Sequence, residues 1–356
     1  MKLLALPGDG IGPEIMAATL TVLRAADAAH GIGLEIEEME IGLAALARAG
    51  TTLPDAVLER IPAVDGVILG PVSHYEYPPR PAGGINPSGE LRARFALGAN
   101  IRPARSRPGL SLLGDRMDLV IVREATEGFY ADRNMHAGPG EFMPDPDTAL
   151  SVRKITAAAS RRVAEAAFAL ALERRRRVTA IHKANVLKLS DGLFLREVRD
   201  VARAFPGVVL DEMIVDAAAA QLIRAPERFD VIVTTNMFGD ILSDEASELS
   251  GGLGLGGAIN VGDGICVAQA QHGSAPDIQG LGVANPISLI LSAAMLLDWR
   301  GRRDRVLPLR SAARHLQHSV DHVLANPETR TRDLGGTCST AELTGHLVAA
   351  LRVLDA

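Results

Sequence analysis

Short apolar runs bounded by Gly, Pro or Asp alternate along the chain with longer segments whose apolar positions recur every three or four residues. The short runs lie at Leu3 to Leu6, Val67 to Leu69, Leu119 to Val122, Val208 to Leu210 and Val231 to Val233, and they read as strands. The longer segments predict helices over roughly 13–30, 54–61, 154–173, 191–205, 236–250, 285–299 and 339–354. Strands that alternate with helices indicate an α/β protein. No internal repeat or low-complexity linker interrupts the pattern, so any two domains are joined by strands or short crossings. The most hinge-like stretch is GGLGLGG, Gly251 to Gly257.

A length of 356 residues allows one large domain or two ordinary ones. The formal charge of -6 gives no electrostatic reason to expect nucleic acid. Cys266 and Cys338 stand far apart with no C-x-x-C spacing, which provides neither a disulfide framework nor a zinc site and fits a reducing compartment. The apolar run in MKLLALPGDG is too short for a signal peptide, and no stretch reaches the ~18 apolar residues of a membrane span. A soluble, cytoplasmic protein without a membrane partner is expected. Lysine occurs only at Lys2, Lys154, Lys183 and Lys188, so each one is a candidate for a specific role.

The turn Gly8-Asp9-Gly10-Ile11-Gly12-Pro13 has the look of a phosphate loop, yet Pro13 stands where a dinucleotide fingerprint needs glycine. Pro13 reads instead as the first-turn proline of a helix. Asp240 and Asp244 are four residues apart and share one helical face. Two like charges there repel unless a cation joins them, and magnesium is commonly held by one or two carboxylates plus substrate oxygens. Asp216 is a candidate third carboxylate. Arg92, Arg102 and Arg123 sit near the ends of apolar segments, and guanidinium forks suit carboxylates. The run Arg174 to Arg177 reads differently, as surface charge at a helix C-terminus.

Seven ordered segments carry a resemblance that spans almost the whole chain. They are PGDGIGPE (7–14), LRARFALGANIRP (91–103), REATEGFY (123–130), HKANVLK (182–188), VDAAAAQL (215–222), NMFGDILSDEAS (236–247) and HGSAPDI (272–278), the last followed by ANP. Together they closely resemble the isocitrate and isopropylmalate dehydrogenase family, the β-hydroxyacid oxidative decarboxylases. The resemblance implies an α/β fold with a large discontinuous NAD-binding domain, about 1–98 and 255–356, and a smaller central dimerisation domain, 99–254. Its segment at about 131–150 matches an arm that pairs across a homodimer, with the active site in the cleft between domains. It implies that Arg92, Arg102 and Arg123 clamp substrate carboxylates and that Asp216, Asp240 and Asp244 hold Mg²⁺ or Mn²⁺. Lys183 and Tyr130 match the acid–base pair, and Lys183 and Asp216 would come from the neighbouring subunit.

The reaction implied is the oxidative decarboxylation of a 3-substituted malate. Lys183 assists loss of the C2 hydroxyl proton as hydride leaves for the nicotinamide, and the β-keto acid then loses its C3 carboxylate. Tyr130 protonates the enolate so formed. A lysine suits that base role when nearby arginines and a metal lower its pKa. In HGSAPDI, Asp277 suits an adenosine ribose diol and opposes a 2′-phosphate, so NAD is the expected cofactor. His272, Gly273, Ala275, Ile278 and Asn285 match the remaining adenine and ribose contacts.

The group on C3 would be read by Asn86, Pro87, Ser88, Gly89 and Glu90. Isopropylmalate enzymes present leucines at the positions of Ser88 and Gly89, whereas Asn86 and Ser88 suit a polar substituent, as in isocitrate, homoisocitrate or tartrate. SHYEYPPR (73–80), Gln269 in place of a glutamate and Ala125 also depart from the family pattern. A 3-isopropylmalate dehydrogenase is the alternative reading. From other classes come a catalytically silent regulatory or structural paralogue and a plain nucleotide-binding protein that uses the Gly8 to Gly12 turn.

Overall fold

The computed structural model describes residues 1–130 and 135–353. Its centre is a ten-stranded sheet with helices on both faces. The N-terminal part contributes β1 (Lys2–Leu6), α1 (Gly12–His30), β2 (Glu35–Glu38), α2 (Gly42–Ala49), α3 (Asp55–Arg60), β3 (Gly66–Leu69) and α4 (Pro87–Arg94). The central part contributes β4 (Ala99–Arg105), β5 (Asp118–Glu124), the hairpin β6 (Glu141–Asp145) and β7 (Thr148–Ser151), and α5 (Ala157–Leu172). It continues with β8 (Arg177–His182), α6 (Ser190–Ala202), β9 (Val209–Ile214), α7 (Val215–Arg224), β10 (Val231–Thr234) and α8 (Asn236–Ser250). The chain ends through β11 (Ile259–Val261), β12 (Cys266–Gln269), α9 (Ile287–Arg303), α10 (Leu307–Ala325) and α11 (Thr340–Val353).

Strand order is β2-β1-β3-β12-β11-β4-β5-β10-β8-β9. Pairing is parallel except at β12–β11, β11–β4 and β4–β5. Because alternate side chains of a strand point to opposite faces, a strand covered on both sides must be apolar throughout. In β1, Leu3 and Ala5 join the cluster under α1, α9, α10 and α11, while Leu4 and Leu6 join the cluster under α3 and α4. In β5, Val120 and Val122 face α5 and α6, while Leu119 and Ile121 face α7 and α8. Each fully buried Leu or Ile contributes about 1.5–3 kcal/mol.

The carboxyl ends of β5, β10, β8 and β9 finish at one edge, in the register Arg123 to Thr234 to Ile181 and His182 to Ile214. The segment bearing Tyr130, helix α8, Lys183 and Asp216 all leave from that edge. Ligands of open α/β sheets gather outside such ends.

Several expectations change in detail. The helix expected from 154 begins at Ala157, because Lys154 pairs with Gly128 in an isolated bridge and Thr156 Oγ1 caps the helix by accepting from Ala159 N at 3.2 Å. The strand expected at 208–210 runs Val209–Ile214. Strands β2, β4, β8, β11 and β12 and helices α2, α4, α7 and α10 were not anticipated. Arg174 and Arg175 are more than surface charge, since both pair with the buried Asp230. The segment at about 131–150 carries the β6–β7 hairpin with Phe142, Met143 and Leu150 exposed; residues 131–134 of it, and residue 354 of the last helix, lie outside the described residues. No helix among the described residues is long and apolar enough to cross a membrane.

Candidate active site

The Gly8 to Gly12 turn spends its glycines on packing. A Cβ at Gly8 would lie 2.1 Å from Pro71 O, and one at Gly10 would lie 2.0 Å from Ser274 O. Both have positive φ, +77° and +58°, and Ile11 N donates to Ser274 O at 2.8 Å. Between them Asp9 is buried and accepts from Leu43 N (2.7 Å), Ser73 N (2.9 Å) and Tyr77 Oη (2.5 Å). The turn therefore anchors the unusual 73–80 segment. Burial and the Asp9 charge both raise the Tyr77 phenol above its ordinary range, so it stays a donor.

That segment walls a cavity of about 470 Å³ lined by Asn86, Ser88, Arg92, Arg102, Arg123, Tyr130 and Asp240, and also by His74, Tyr75, Glu76 and Gln269. Arg102, from β4, donates through Nε to Asn100 Oδ1 (2.6 Å) and through Nη1 to Ser243 Oγ (2.8 Å) and Asp244 Oδ1 (3.1 Å). Its Nη1 also stands 3.3 Å from Asp240 Oδ1. Arg123, from β5, grips Asn236 Oδ1 through Nε (2.9 Å) and Nη2 (2.6 Å) and pairs through Nη1 with Asp240. Arg92 Nε donates to Asn260 Oδ1 at 2.9 Å. Tyr130 Oη donates to Asp240 Oδ2 at 3.3 Å, and its ring lies 5.9 Å from the Arg123 guanidinium carbon. Burial, together with the neighbouring Arg123 charge, draws the Arg102 guanidinium down to about 10, still charged at neutral pH.

Burial opposes ionisation of Asp240, yet Arg123, Arg102 and Arg92 hold its carboxyl below the ordinary value. For Asp244 burial prevails and raises the carboxyl despite Arg102. Asn86 Oδ1 caps α4 by accepting from Gly89 N at 3.2 Å, and Ser88 Oγ donates to Gln269 Oε1 at 3.0 Å.

Lys183 and Asp216 do not line this cavity. They form their own pair at the end of β8 and the start of α7, with Lys183 Nζ donating to Asp216 Oδ1 at 2.5 Å and the Asp216 side chain 61% exposed. Among the described residues no three His, Cys, Asp or Glu side chains converge within the chain. The chain alone thus brings together Asp240 and Asp244 but not Asp216. Two converging carboxylates without soft ligands fit a hard, oxygen-seeking divalent ion that takes further donors from substrate or a second copy.

The residues expected to hold the cofactor border a second cavity of about 580 Å³. His272, Gly273, Ala275, Ile278 and Asn285 line it together with Ile11, Leu281 and Val283, an apolar floor suited to an adenine ring. His272 and Gly273 line both cavities. His272 Nε2 is buried without a hydrogen-bond partner among the described residues, the kind of orphan atom a ligand satisfies. Asp277 lies in the exposed turn beside this cavity rather than in its lining. Sequence reasoning missed Arg332 and Asp333 on the far wall; Asp333 Oδ2 accepts from Asn285 Nδ2 at 2.8 Å.

The profile of the family described as isocitrate/isopropylmalate dehydrogenase matches residues 2–347. The isocitrate/homoisocitrate dehydrogenase of Thermus thermophilus is 43% identical over 99% of both chains. The 3-isopropylmalate dehydrogenase of Saccharolobus solfataricus is 36% identical over 96% of this chain and 97% of its own. The crystal structure of isocitrate dehydrogenase from Methylococcus capsulatus, 38% identical, superposes over 99% of both chains with a TM-score of 0.86. With fold, motifs and full-length likeness in agreement, the chain belongs to the isocitrate/isopropylmalate dehydrogenase family of decarboxylating dehydrogenases.

Proposed function

We propose that this enzyme uses NAD and Mg²⁺ or Mn²⁺ to oxidise and decarboxylate a 3-substituted malate whose C3 substituent is polar, of the isocitrate, homoisocitrate or tartrate type. The observation that carries this reading is the convergence of Arg92, Arg102 and Arg123 with Tyr130 and Asp240 on one cavity. Three guanidinium groups are far more cation than a neutral ligand needs, and they match a substrate with more than one carboxylate. The polar choice rests on Ser88, Asn86 and Gln269 in the wall, where no leucine pair stands. The likeness to 3-isopropylmalate dehydrogenases favours a second reading with that substrate.

Arg92, Arg102 and Arg123 would hold the carboxylates and orient C2 and C3. The partner subunit's Lys183 would take the C2 hydroxyl proton, and Tyr130 would deliver one to C3 after CO₂ has left. Asp240 and Asp244, with the partner subunit's Asp216, would hold the divalent ion, which supplies Lewis acidity toward substrate oxygens while NAD accepts the hydride. A homodimer that shares its sites is supported by the position of the Lys183–Asp216 pair outside the cavity of its own chain, with Asp216 61% exposed. Residues 1–98 with 255–356 and residues 99–254 would close over the cleft as two bodies and exclude water. We assign the enzyme to the cytoplasm, in keeping with the free thiols of Cys266 and Cys338.

The test is NADH formation with Mn²⁺ or Mg²⁺ over isocitrate, homoisocitrate, tartrate, malate, methylmalate and isopropylmalate, with CO₂ detection and a chelator control. Metal-dependent NADH with matching CO₂ from a polar member supports the reading. Preference for isopropylmalate selects the second reading, and comparable rates with NADP overturn the cofactor assignment. A folded protein that binds NAD yet turns over no member speaks for a silent paralogue.

A further inference from the structure

Arg153 lies between β7 and α5, outside every motif singled out in the sequence, with its side chain 8% exposed. Its Nη1 donates to Asp191 Oδ1 (2.5 Å) and Ser190 Oγ (2.9 Å), and its Nη2 donates to Thr235 Oγ1 (3.0 Å). The guanidinium carbon stands 5.4 Å from the ring centre of Phe238 and 5.8 Å from that of Phe129. Asp191, in the first turn of α6, is fully buried. Its second oxygen, Oδ2, accepts the backbone N–H of Lys183 at 2.6 Å. One carboxylate therefore joins a buried guanidinium to the backbone of the lysine read above as the base.

The surroundings make this a geometric device rather than a source of stability. A buried ion pair recovers little beyond its desolvation cost, and apolar residues of similar volume often hold a fold as well. What an apolar pair cannot do is receive the Lys183 N–H. Upstream, Lys183 is fixed by the last rung of β8, where His182 pairs with Ile214. Downstream, the turn closes through Leu187 N to Lys183 O at 2.8 Å and Asp191 N to Leu187 O at 3.0 Å. The Nη2 hydrogen bond of Arg153 reaches Thr235, the residue before α8, and its ring contacts lie next to Tyr130 and inside α8.

We propose that Asp191, oriented by Arg153, is a positioning residue for Lys183. It fixes the backbone from which the ε-amine reaches the substrate proton, and it ties that lysine to the helix that carries Asp240 and Asp244. This rests on the base role given to Lys183 under the proposed function.

The test uses the full-length enzyme with the substrate its panel identifies. Arg153→Met with Asp191→Leu removes both charges and the acceptor at similar volume. Arg153→Met with Asp191→Asn removes the charges but keeps an acceptor for Lys183 N–H. The first pair is expected to lower kcat on the order of 10- to 100-fold, with substrate KM within about threefold, because small misplacements of a reacting group cost that much. The second pair recovers at least part of kcat at a matched melting temperature, a separation that lost packing alone does not produce. Lys183→Met is the control. If it abolishes turnover while the Met/Leu pair keeps the wild-type kcat, this inference falls alone. If Lys183→Met itself turns over at the wild-type rate, the base role falls and takes this inference with it. Should the neutral pairs not fold, Arg153→Lys keeps the charge but shortens the fork; a several-fold lower kcat is expected at unchanged KM, and an unchanged kcat overturns the proposal.

Discussion

A Cβ placed on Gly239 would lie 2.6 Å from Arg123 Cγ and 2.7 Å from its Cβ. Alanine in a helix interior normally gains about 1 kcal/mol over glycine. Here Gly239→Ala is expected to lose about 1–3 kcal/mol as α8 is forced off β5, and to lower kcat/KM by moving Arg123; urea melts and steady-state kinetics check both. Glu127 gives a pH signature. Burial, aided by Glu124 and opposed by the Thr156 hydrogen bonds, raises its carboxyl from 4.5 to about 7. Between those values the unfolded chain loses this proton while the native chain keeps it, so its contribution to stability falls as pH rises through the window. Glu127→Gln is expected to flatten that fall, measured by unfolding across the window for both proteins; parallel curves would remove Glu127 as the source. Such residues were illegible beforehand for a plain reason. The partners of Asp9 lie at Leu43, Ser73 and Tyr77, and the role of Asn236 depends on Arg123 more than a hundred positions away. Side-chain type and i, i+4 spacing mark Arg92, Arg102, Arg123, Asp240 and Asp244 only as candidates; the family motifs around them singled them out, and the fold brings Arg92, Arg102, Arg123 and Asp240 to one cavity.

Among elements, the long apolar stripes of α1, α5, α8 and α9 were read, α8 with its Asp240 and Asp244 included, while the shorter α2, α4 and α7 and several elements interrupted by charge or proline were not. Strand β4 reads ANIRPAR, and its buried Arg102 and its Pro103 disguise a strand that lies between β11 and β5. Strand β8 follows a run of arginines whose charges mask its apolar stretch. Helix α10 was missed because Arg, His, Gln and Asp interrupt its buried stripe of Leu309, Ala312, Ala313, Leu316, Val320 and Val323. The short helices and turns of 73–86 have no periodicity to read; Asp9 holds them at Ser73 and Tyr77, and Thr52 holds them at Gly83 and Ile85. Asp9→Ala is expected to cost about 2–3 kcal/mol through the donors it strands and to raise substrate KM, since the 73–76 stretch walls the cavity. Unchanged KM with lowered stability would separate the anchoring of this segment from substrate binding.

On the scale of the whole molecule, alternation of strand and helix made the α/β class legible, while the strand order, with β11 and β12 inserted beside β3 and β4, rests on pairings between distant parts of the chain. The shared site proposed above has a direct check. Lys183→Met and Asp240→Asn homodimers should each be inactive, whereas a refolded mixture should regain about a quarter of wild-type activity, because each heterodimer restores one of its two sites by symmetry. No recovery would mean that one chain builds the whole site. A last consequence follows from Arg102 and Arg123 meeting Asp240 and Asp244 inside the chain. In the roles proposed above, a substrate carboxylate that takes an arginine would free an aspartate for the metal, and a metal that takes an aspartate would free an arginine for the substrate. Each ligand should therefore tighten the other by the same factor, about 5- to 150-fold for typical couplings, and calorimetric titration of each in the presence and absence of the other measures it. The arginines and aspartates of the cleft are arranged like a salt whose two ions can exchange partners, with acid and metal ion as mutual guests.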